Sequence, residues 1–334
     1  MTDFSKFGSL FAMTMHFSNE ETCRDAIVET RWGVGEEQDV VCPYCGGHHC
    51  KERRDGRFRC IRCIRCKRNF SCKVGTIFED SNLPLTKWFI AMYLISSHKK
   101  GISSYQLARD ISVTQKTAWY VLHKVRSLYA QDDCDTLSGE VECDEVYIGG
   151  KEKWKHKSMR TPKTQGRSTK TKTPVFGMME RSEFVNAKGE VEPMSYVHAM
   201  VVDKTDSATL TGLIGQFVAE GSTVFTDELN SYNGLSELGY AHKVCNHSAL
   251  QFVCEDDGTV YTNNIEGFWS HFRRMITGCY HDVSDEHLQS YIDEACFRWN
   301  TRKMAESERF GHMFGSAIGL VKPNREFVLC EKAG

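Results

Sequence analysis

The sequence predicts a multidomain α+β chain, with a cysteine-rich ribbon and a helix-turn-helix ahead of an α/β domain built on a mixed sheet. Three observations predict it. Two CxxC knuckles fall early in the chain, and a helical stretch with a marked turn follows them. Residues 139–230 then read as strands separated by loops around one helix near 205–219, before the pattern returns to helix at about 262–303. A length of 334 residues suits two or three domains. The divisions we expect are an N-terminal helical segment (1–38), the ribbon (39–80), a helical helix-turn-helix region (81–132), the α/β domain (138–305) and a C-terminal tail (306–334).

Composition narrows the function classes. Hydrophobic residues make up 40% and charged residues 26%, which is ordinary for a globular protein. The longest apolar run, Trp88 to Ile95, is too short to span a bilayer, so no membrane partner is expected. The first residues lack the basic start and cleavage site of a signal peptide. The expected location is therefore the cytoplasm, and the nucleoid if the source is prokaryotic.

The formal net charge is −2, so the molecule as a whole does not announce an anionic partner. The local pattern does. Lys51 to Lys73 holds ten Lys or Arg against two acids, and Lys151 to Lys172 holds nine against one. Such blocks suit positive surfaces facing phosphate, although solvated loops carry the same pattern. The second block is rich in Thr and Lys and reads as a loop.

The N-terminal segment reads as helix, with Ser18 and Asn19 as possible caps for Glu20 to Thr30. The ribbon follows. Of 15 cysteines, seven lie between Cys42 and Cys72. In a long chain without a secretion signal, clustered cysteines point to metal rather than disulfides. Cys42-Pro43-Tyr44-Cys45 and Cys63-Ile64-Arg65-Cys66 are separated by 17 residues, a spacing that can set four thiolates at the corners of a tetrahedron around zinc. Cys60 and Cys63 form a competing second knuckle. His48, His49, Cys50 and Cys72 read as non-ligands. The arginines of this segment suit phosphate contacts.

In the next segment Leu107, Ala108 and Ile111 fit the inner face of one helix, and Ser112 and Val113 form a turn. Thr114 caps a second helix that carries Gln115, Lys116 and Thr117 at its exposed start. This is the layout in which a helix enters the major groove by its N-terminal residues. It also fits two packed helices with no role in DNA binding.

In the α/β domain, Val141 to Ile148 reads as a strand carrying Asp144. Ser222 to Asp227 reads as a second strand ending in Asp227, and Asn263 opens a helix that carries Glu266. Two acids at strand positions and one at a helix start can meet if the strands are neighbours. Hard oxygen donors of this kind select magnesium or manganese. A pair of such ions supports phosphoryl transfer.

These motifs together resemble insertion-sequence transposases that carry an N-terminal zinc ribbon and a DDE-type catalytic domain, the ISXO2-like group related to Merlin elements. The resemblance runs along nearly the whole chain. It is carried by Arg31-Trp32 before Cys42-Pro43-x-Cys45, and by Cys63-x-x-Cys66 before Phe70-Ser71 and Gly75-Thr76-Ile77-Phe78. In the second half it rests on Asp144-Glu145-x-Tyr147-x-Gly149-Gly150-Lys151, Thr226-Asp227 with Tyr232, and His247-Ser248. The longest stretches are Thr262-Asn263-x-Ile265-Glu266-Gly267-Phe268-Trp269-Ser270 and Gly278-x-Tyr280-His281.

The resemblance implies an RNase H-like catalytic domain that cuts DNA at the ends of an element and joins the strands to a target. It favours Cys42, Cys45, Cys63 and Cys66 as ligands of one structural zinc. It makes Asp144, Asp227 and Glu266 ligands of Mg2+ or Mn2+, two ions in all. Asn263, one turn from Glu266, is a rival third ligand, but a carboxylate neutralises a cation better than an amide does. Lys116, Thr117, Lys151, Arg273 and Arg274 are the candidate DNA contacts; a solvated helix face explains the two arginines as well. His247 and His281 suit either DNA contact or the core, and Glu294 reads as structural. The implied partners are the terminal inverted repeats of the element, target DNA and further copies of the chain in a homodimer or larger synaptic complex. Two other functions fit the same residues: a zinc-ribbon DNA binder with an inactive or repurposed catalytic domain, and a nuclease acting on RNA–DNA hybrids.

Overall fold

A computed structural model of the chain describes residues 4, 6–33, 39–55, 58–130, 136–149, 156–161, 168–186, 188–245 and 262–319. Lys151 and His247, and much of the basic stretch 151–172, lie outside the described residues. The structure divides into two compact units, one containing the described residues up to Leu128 together with those from Lys303 onward, the other Tyr129–Arg302.

The first unit opens with α1 (Leu10–His16) and α2 (Glu20–Trp32). The Asn19 carboxamide accepts the Thr22 N–H at 2.8 Å, and Glu20 and Glu21 occupy the first turn, so the start of α2 is both capped and favourably charged. Three short antiparallel strands follow: β1 (Cys50–Asp55), β2 (Phe58–Cys63) and β3 (Asn69–Phe70). Next come α3 (Leu85–Ser97), α4 (Ser104–Asp110) and α5 (Gln115–Arg126). Helix α3 is apolar nearly all round, with Trp88, Phe89, Ala91, Met92, Tyr93 and Ile95 buried, as befits a central helix.

The segment from residue 306, set apart in sequence as a tail, begins with a helix, α9 (Glu306–Ala317), that packs against α3. Phe310, Met313, Phe314 and Ala317 form its buried stripe. Phe89 lies 5.0 Å from the Phe314 ring centre, and Phe4 lies 5.3 Å from that of Phe310. The end of the described chain therefore completes the core of the first unit.

The second unit holds β4 (Glu140–Ile148), β5 (Thr173–Val185), β6 (Val191–Val201), α6 (Ser207–Phe217), β7 (Thr223–Thr226), β8 (Ala241–Val244), α7 (Asn263–Met275) and α8 (Asp285–Asn300). The sheet order is β6-β5-β4-β7-β8. Strand β5 runs antiparallel to both β4 and β6, whereas β7 is parallel to both β4 and β8, so the sheet is mixed, as the sequence predicts.

Strand alternation divides this unit into two cores. Val141, Cys143, Phe176, Met178 and Val224 meet Leu210 and Ile214 of α6 on one face. Val146, Val175, Met179, Val197 and Ala199 meet α7 and α8 on the other. Helix α7 buries Ile265, Phe268, Trp269, Phe272 and Met275, whose offsets of three and four along the helix give one apolar stripe. Its last turn widens into a π segment, Ile276–Tyr280. Among the described residues, no helix is long and apolar enough to cross a membrane.

Candidate active site and metal cluster

The first knuckle is a tight turn: the Gly46 N–H donates to the Cys42 carbonyl at 2.9 Å, and Gly46 takes φ +64°, a conformation cheap for glycine. The second closes where β2 ends, with the Lys67 N–H donating to the Cys63 carbonyl at 3.0 Å. The two turns bring Cys42 Sγ to 3.7 Å from Cys66 Sγ, and Cys45 Sγ to 3.6 Å from Cys63 Sγ. All four sulfurs lie within 4.8 Å of one another. A tetrahedron of Zn–S bonds near 2.3 Å requires sulfurs about 3.8 Å apart, so the cluster has the dimensions of a zinc site. The Cys66 N–H, 3.4 Å from Cys63 Sγ, helps to pull the Cys63 thiol down to about 6, toward the thiolate that a metal binds. Cys60 alternates to the opposite side of β2 from Cys63 and is not among these four residues.

In the following helices, Leu107, Ala108 and Ile111 are buried, as expected of an inner face. Ser112 adopts φ +51° at the turn, and the Val113 N–H closes it on the Ala108 carbonyl at 3.0 Å. Thr114 Oγ1 accepts the Thr117 N–H at 3.2 Å, so Thr114 caps α5. Gln115 Nε2 donates to Ser104 Oγ at 2.9 Å and ties the starts of α4 and α5 together. Lys116 is exposed and Thr117 half-buried at the open end of α5.

The acids occupy one face of the sheet in the second unit. Glu142 pairs with Phe225 across the parallel β4/β7 ladder. Carried two residues further, this register sets Asp144 alongside Asp227. Asp144 points to the side covered by α7, since Val146 on that strand face packs against α7 and α8. Asp227, one residue past β7, is close enough for its charge to act on Asp144. Asp144 is also the ladder partner of Gly177 on β5. A Cβ on Gly177 would lie 2.5 Å from Cζ2 of Trp269, so only glycine lets α7 approach this closely. Glu266, one turn before Trp269, thereby reaches the same neighbourhood.

A cleft of about 440 Å³ opens there, with Asp144, Glu145, Glu266, Trp269, Arg273 and Arg274 among its lining residues. Asp227 does not line it, and neither does Asn263. Asp144 is nonetheless electrostatically coupled to the whole group. Burial, then the charges of Glu145, Asp227 and Glu266, push its carboxyl up to about 8. Among the described residues only the four cysteines bring all their ligand atoms within 4.8 Å, so the acids flank a space rather than meet at one point.

Of the remaining candidates, Arg273 and Arg274 are exposed on the cleft wall. His281 is exposed just past the π segment, at φ +64°. Glu294 lies on α8. It forms a buried pair with Arg298 at 2.6 Å and accepts the Tyr280 hydroxyl at 2.9 Å, a structural role. Residues not singled out in sequence also shape the site. Glu145 is buried and accepts the Tyr232 hydroxyl at 2.9 Å on the α6 side of the sheet. Glu142 and Arg181 lie beneath the start of α7. Nothing in the sequence marked Glu142: its carboxylate is fully buried, and the donors it needs come from residues far along the chain.

Carboxylates grouped beside two arginines on a mixed sheet define a domain suited to divalent cations and phosphate. Comparison with known proteins makes the assignment specific. The family described as ISXO2-like transposase domain matches residues 136–300. An uncharacterized protein in transposable element ISH50 of Halobacterium salinarum is 28% identical over 291 residues, which cover 83% of this chain and 89% of that protein. An uncharacterized transposase-like protein of Haemophilus influenzae is 32% identical over 108 residues, 32% of this chain and 84% of its own length. The chain belongs to the ISXO2-like transposase family. Among solved structures, a chain of the Mos1 strand transfer complex is similar at 14% identity and a TM-score of 0.26, over 65% of this chain and 74% of that one. A chain of the Mos1 paired-end complex gives 11% and 0.18, and likeness of this order adds nothing to the assignment.

Proposed function

We propose that the chain is the transposase of an insertion sequence: it binds the ends of the element and carries out metal-dependent strand cleavage and strand transfer on DNA. The observation that carries this reading is the closeness of Asp227 and Glu266 to Asp144, whose carboxyl is pushed up to about 8 by burial first and then by the charges of Glu145, Asp227 and Glu266. Acids so crowded are relieved by divalent cations, and hard oxygen donors fit Mg2+ or Mn2+. Asp144, Asp227 and Glu266 would hold the ions. Glu266 is preferred to Asn263 because it lines the cleft with Asp144. When bound, a pair of ions activates the attacking oxygen and stabilises the leaving one.

The chain's own residues do the rest. Arg273 and Arg274 bind the DNA phosphate at the cleft wall. Trp269, packed on Gly177, holds α7 against the sheet and keeps Glu266 in reach of the cleft. The mixed sheet with helices on both faces supports an RNase H-like domain. In the first unit, Cys42, Cys45, Cys63 and Cys66 bind one structural zinc, and the exposed start of α5, with Lys116 and Thr117, reads DNA as the second helix of a helix-turn-helix. Lys151 adds a phosphate contact from the basic stretch after Asp144. Two element ends must be held at once, so the acting form is a homodimer or a larger synaptic complex. The protein works in the cytoplasm, on the nucleoid of its host.

The test is cleavage of DNA carrying the cognate ends, with Mg2+, with Mn2+ and with EDTA. We expect cleavage with either ion and none with EDTA. Losing several kcal/mol of transition-state stabilisation, Asp144→Asn and Asp227→Asn should each cut at least ~10³-fold more slowly while still binding ends. Binding without cleavage by the wild type under both ions would favour a repurposed DNA binder. Faster cleavage of RNA–DNA hybrid in competition would favour a hybrid-specific nuclease.

A further inference from the structure

Helix α7 begins at Asn263, but the hydrogen bonds that cap its first turn come from another element. Glu142 Oε2, on β4, accepts the backbone N–H of Asn264 at 3.1 Å and of Ile265 at 3.0 Å. Its Oε1 accepts Asn264 Nδ2 at 2.8 Å and Arg181 Nε at 2.8 Å. The Glu142 side chain is fully buried and every neighbour named here is a donor, an environment only an acceptor-only carboxylate satisfies. A negative charge at this point is also favoured by the positive end of the helix dipole.

The cluster extends sideways. Arg181, which also bonds Glu140 at 2.9 Å, lays its guanidinium over the Phe225 ring at 4.1 Å from the centroid. Its members therefore stand beside each proposed metal ligand. Glu142 is two residues before Asp144 on the same strand face, Phe225 is two before Asp227, and Ile265 immediately precedes Glu266.

We propose that Glu142, braced by Arg181, is the positioning residue of the active site: by capping α7 from the strand that carries Asp144, it fixes the height of Glu266 against the two aspartates. This rests on the metal-dependent reading given above. Glu142 does not line the cleft and touches no reacting group. Its effect passes through the first turn of α7.

The test uses the full-length chain and the variant Glu142→Gln, which presents an amide donor to amide donors while keeping the shape. Three quantities are measured: Mn2+ affinity by titration calorimetry with Mn2+ alone, thermal stability, and the Mg2+ concentration for half-maximal cleavage of end DNA. Residues that orient metal ligands typically alter affinity 10- to 100-fold. We expect E142Q to weaken Mn2+ binding by about tenfold or more and to raise the Mg2+ requirement in parallel, with the rate at saturating Mg2+ largely recovered.

Ile214→Val, in the core on the opposite face of the sheet, is the control for lost stability. It should leave Mn2+ affinity unchanged. If E142Q fails to fold, Arg181→Gln, which removes one donor, should weaken Mn2+ binding in the same direction. A folded E142Q or R181Q with wild-type Mn2+ affinity overturns the proposal while leaving the transposase reading intact; so does an equal loss in I214V. A wild type that binds Mn2+ but cuts no DNA defeats the transposase reading alone, and the affinities still decide the role of Glu142. A wild type that binds no Mn2+ overturns both.

Discussion

Asp144 bears the electrostatic strain of the second unit, and its titration has a definite sign. Its carboxyl rises from 3.8 to about 8 in the folded chain, through burial first and then the acids around it. Below about pH 4 both folded and unfolded chains hold this proton, and stability is unaffected. Between about pH 4 and 8 the folded chain holds a proton that the unfolded chain has released, so this group's contribution declines as pH rises and levels off above 8. In EDTA, the wild-type Tm should therefore fall over this range more steeply than that of Asp144→Asn. Added Mg2+ should raise the wild-type Tm more at about pH 8 than at about pH 5, because binding must displace the proton. An identical pH profile in the two proteins would remove the basis for the strain. Asp144, Asp227 and Glu266 were visible in sequence through the motifs around them. Glu142 was not, because what makes it matter is a helix end whose amides lie 122 and 123 positions along the chain.

At the scale of elements, two close approaches can be tested. The first is α7 on β5. Adding a methyl group at Gly177 forces a contact of 2.5 Å with Trp269 and 3.2 Å with Ile265, both ends of a tightly packed helix face. Gly177→Ala should destabilise the chain by about 1–3 kcal/mol in denaturant unfolding. It should also weaken Mn2+ binding, since α7 carries Glu266; a neutral effect on both would mean that α7 is free to shift. The second is the pair of cysteine turns. We expect about one zinc per chain, measured by elemental analysis, and its loss in Cys42→Ser together with DNA binding. Cys60→Ser should keep its zinc, and loss of metal there would return Cys60 to the ligand set. In sequence the two knuckles competed for Cys63, and strand alternation in β2 is what separates Cys60 from the cluster. The caps at Asn19 and Thr114 and the turn at Ser112 followed from residue type. Helix α9 did not, although Phe310, Met313, Phe314 and Ala317 have helical spacing, because the short segment was read as an end rather than as a partner for the apolar surface of α3.

For the molecule as a whole, a net charge of −2 conceals a division of labour. The chain's 44 acids offset its 42 Lys and Arg overall, while the two basic stretches concentrate positive charge locally. The strands were legible as segments between loops, whereas their order and pairing directions were not, since ladders join residues far apart in sequence. The parallel β4/β7 register, carried two residues past Glu142 and Phe225, is the basis for the proposed grouping of the two aspartates, and α7 carries the glutamate on the side of Asp144. The resemblance implied that the three belong to one site; the sheet register supplies a physical reason.

That grouping is tested most directly by diffraction from crystals of the full-length chain equilibrated with Mn2+, recorded at the manganese absorption edge. Our account predicts anomalous density in the cleft, two ions ~4 Å apart, ligated by Asp144, Asp227 and Glu266. Manganese bound elsewhere, or a cleft without metal at concentrations that support DNA cleavage, would contradict it.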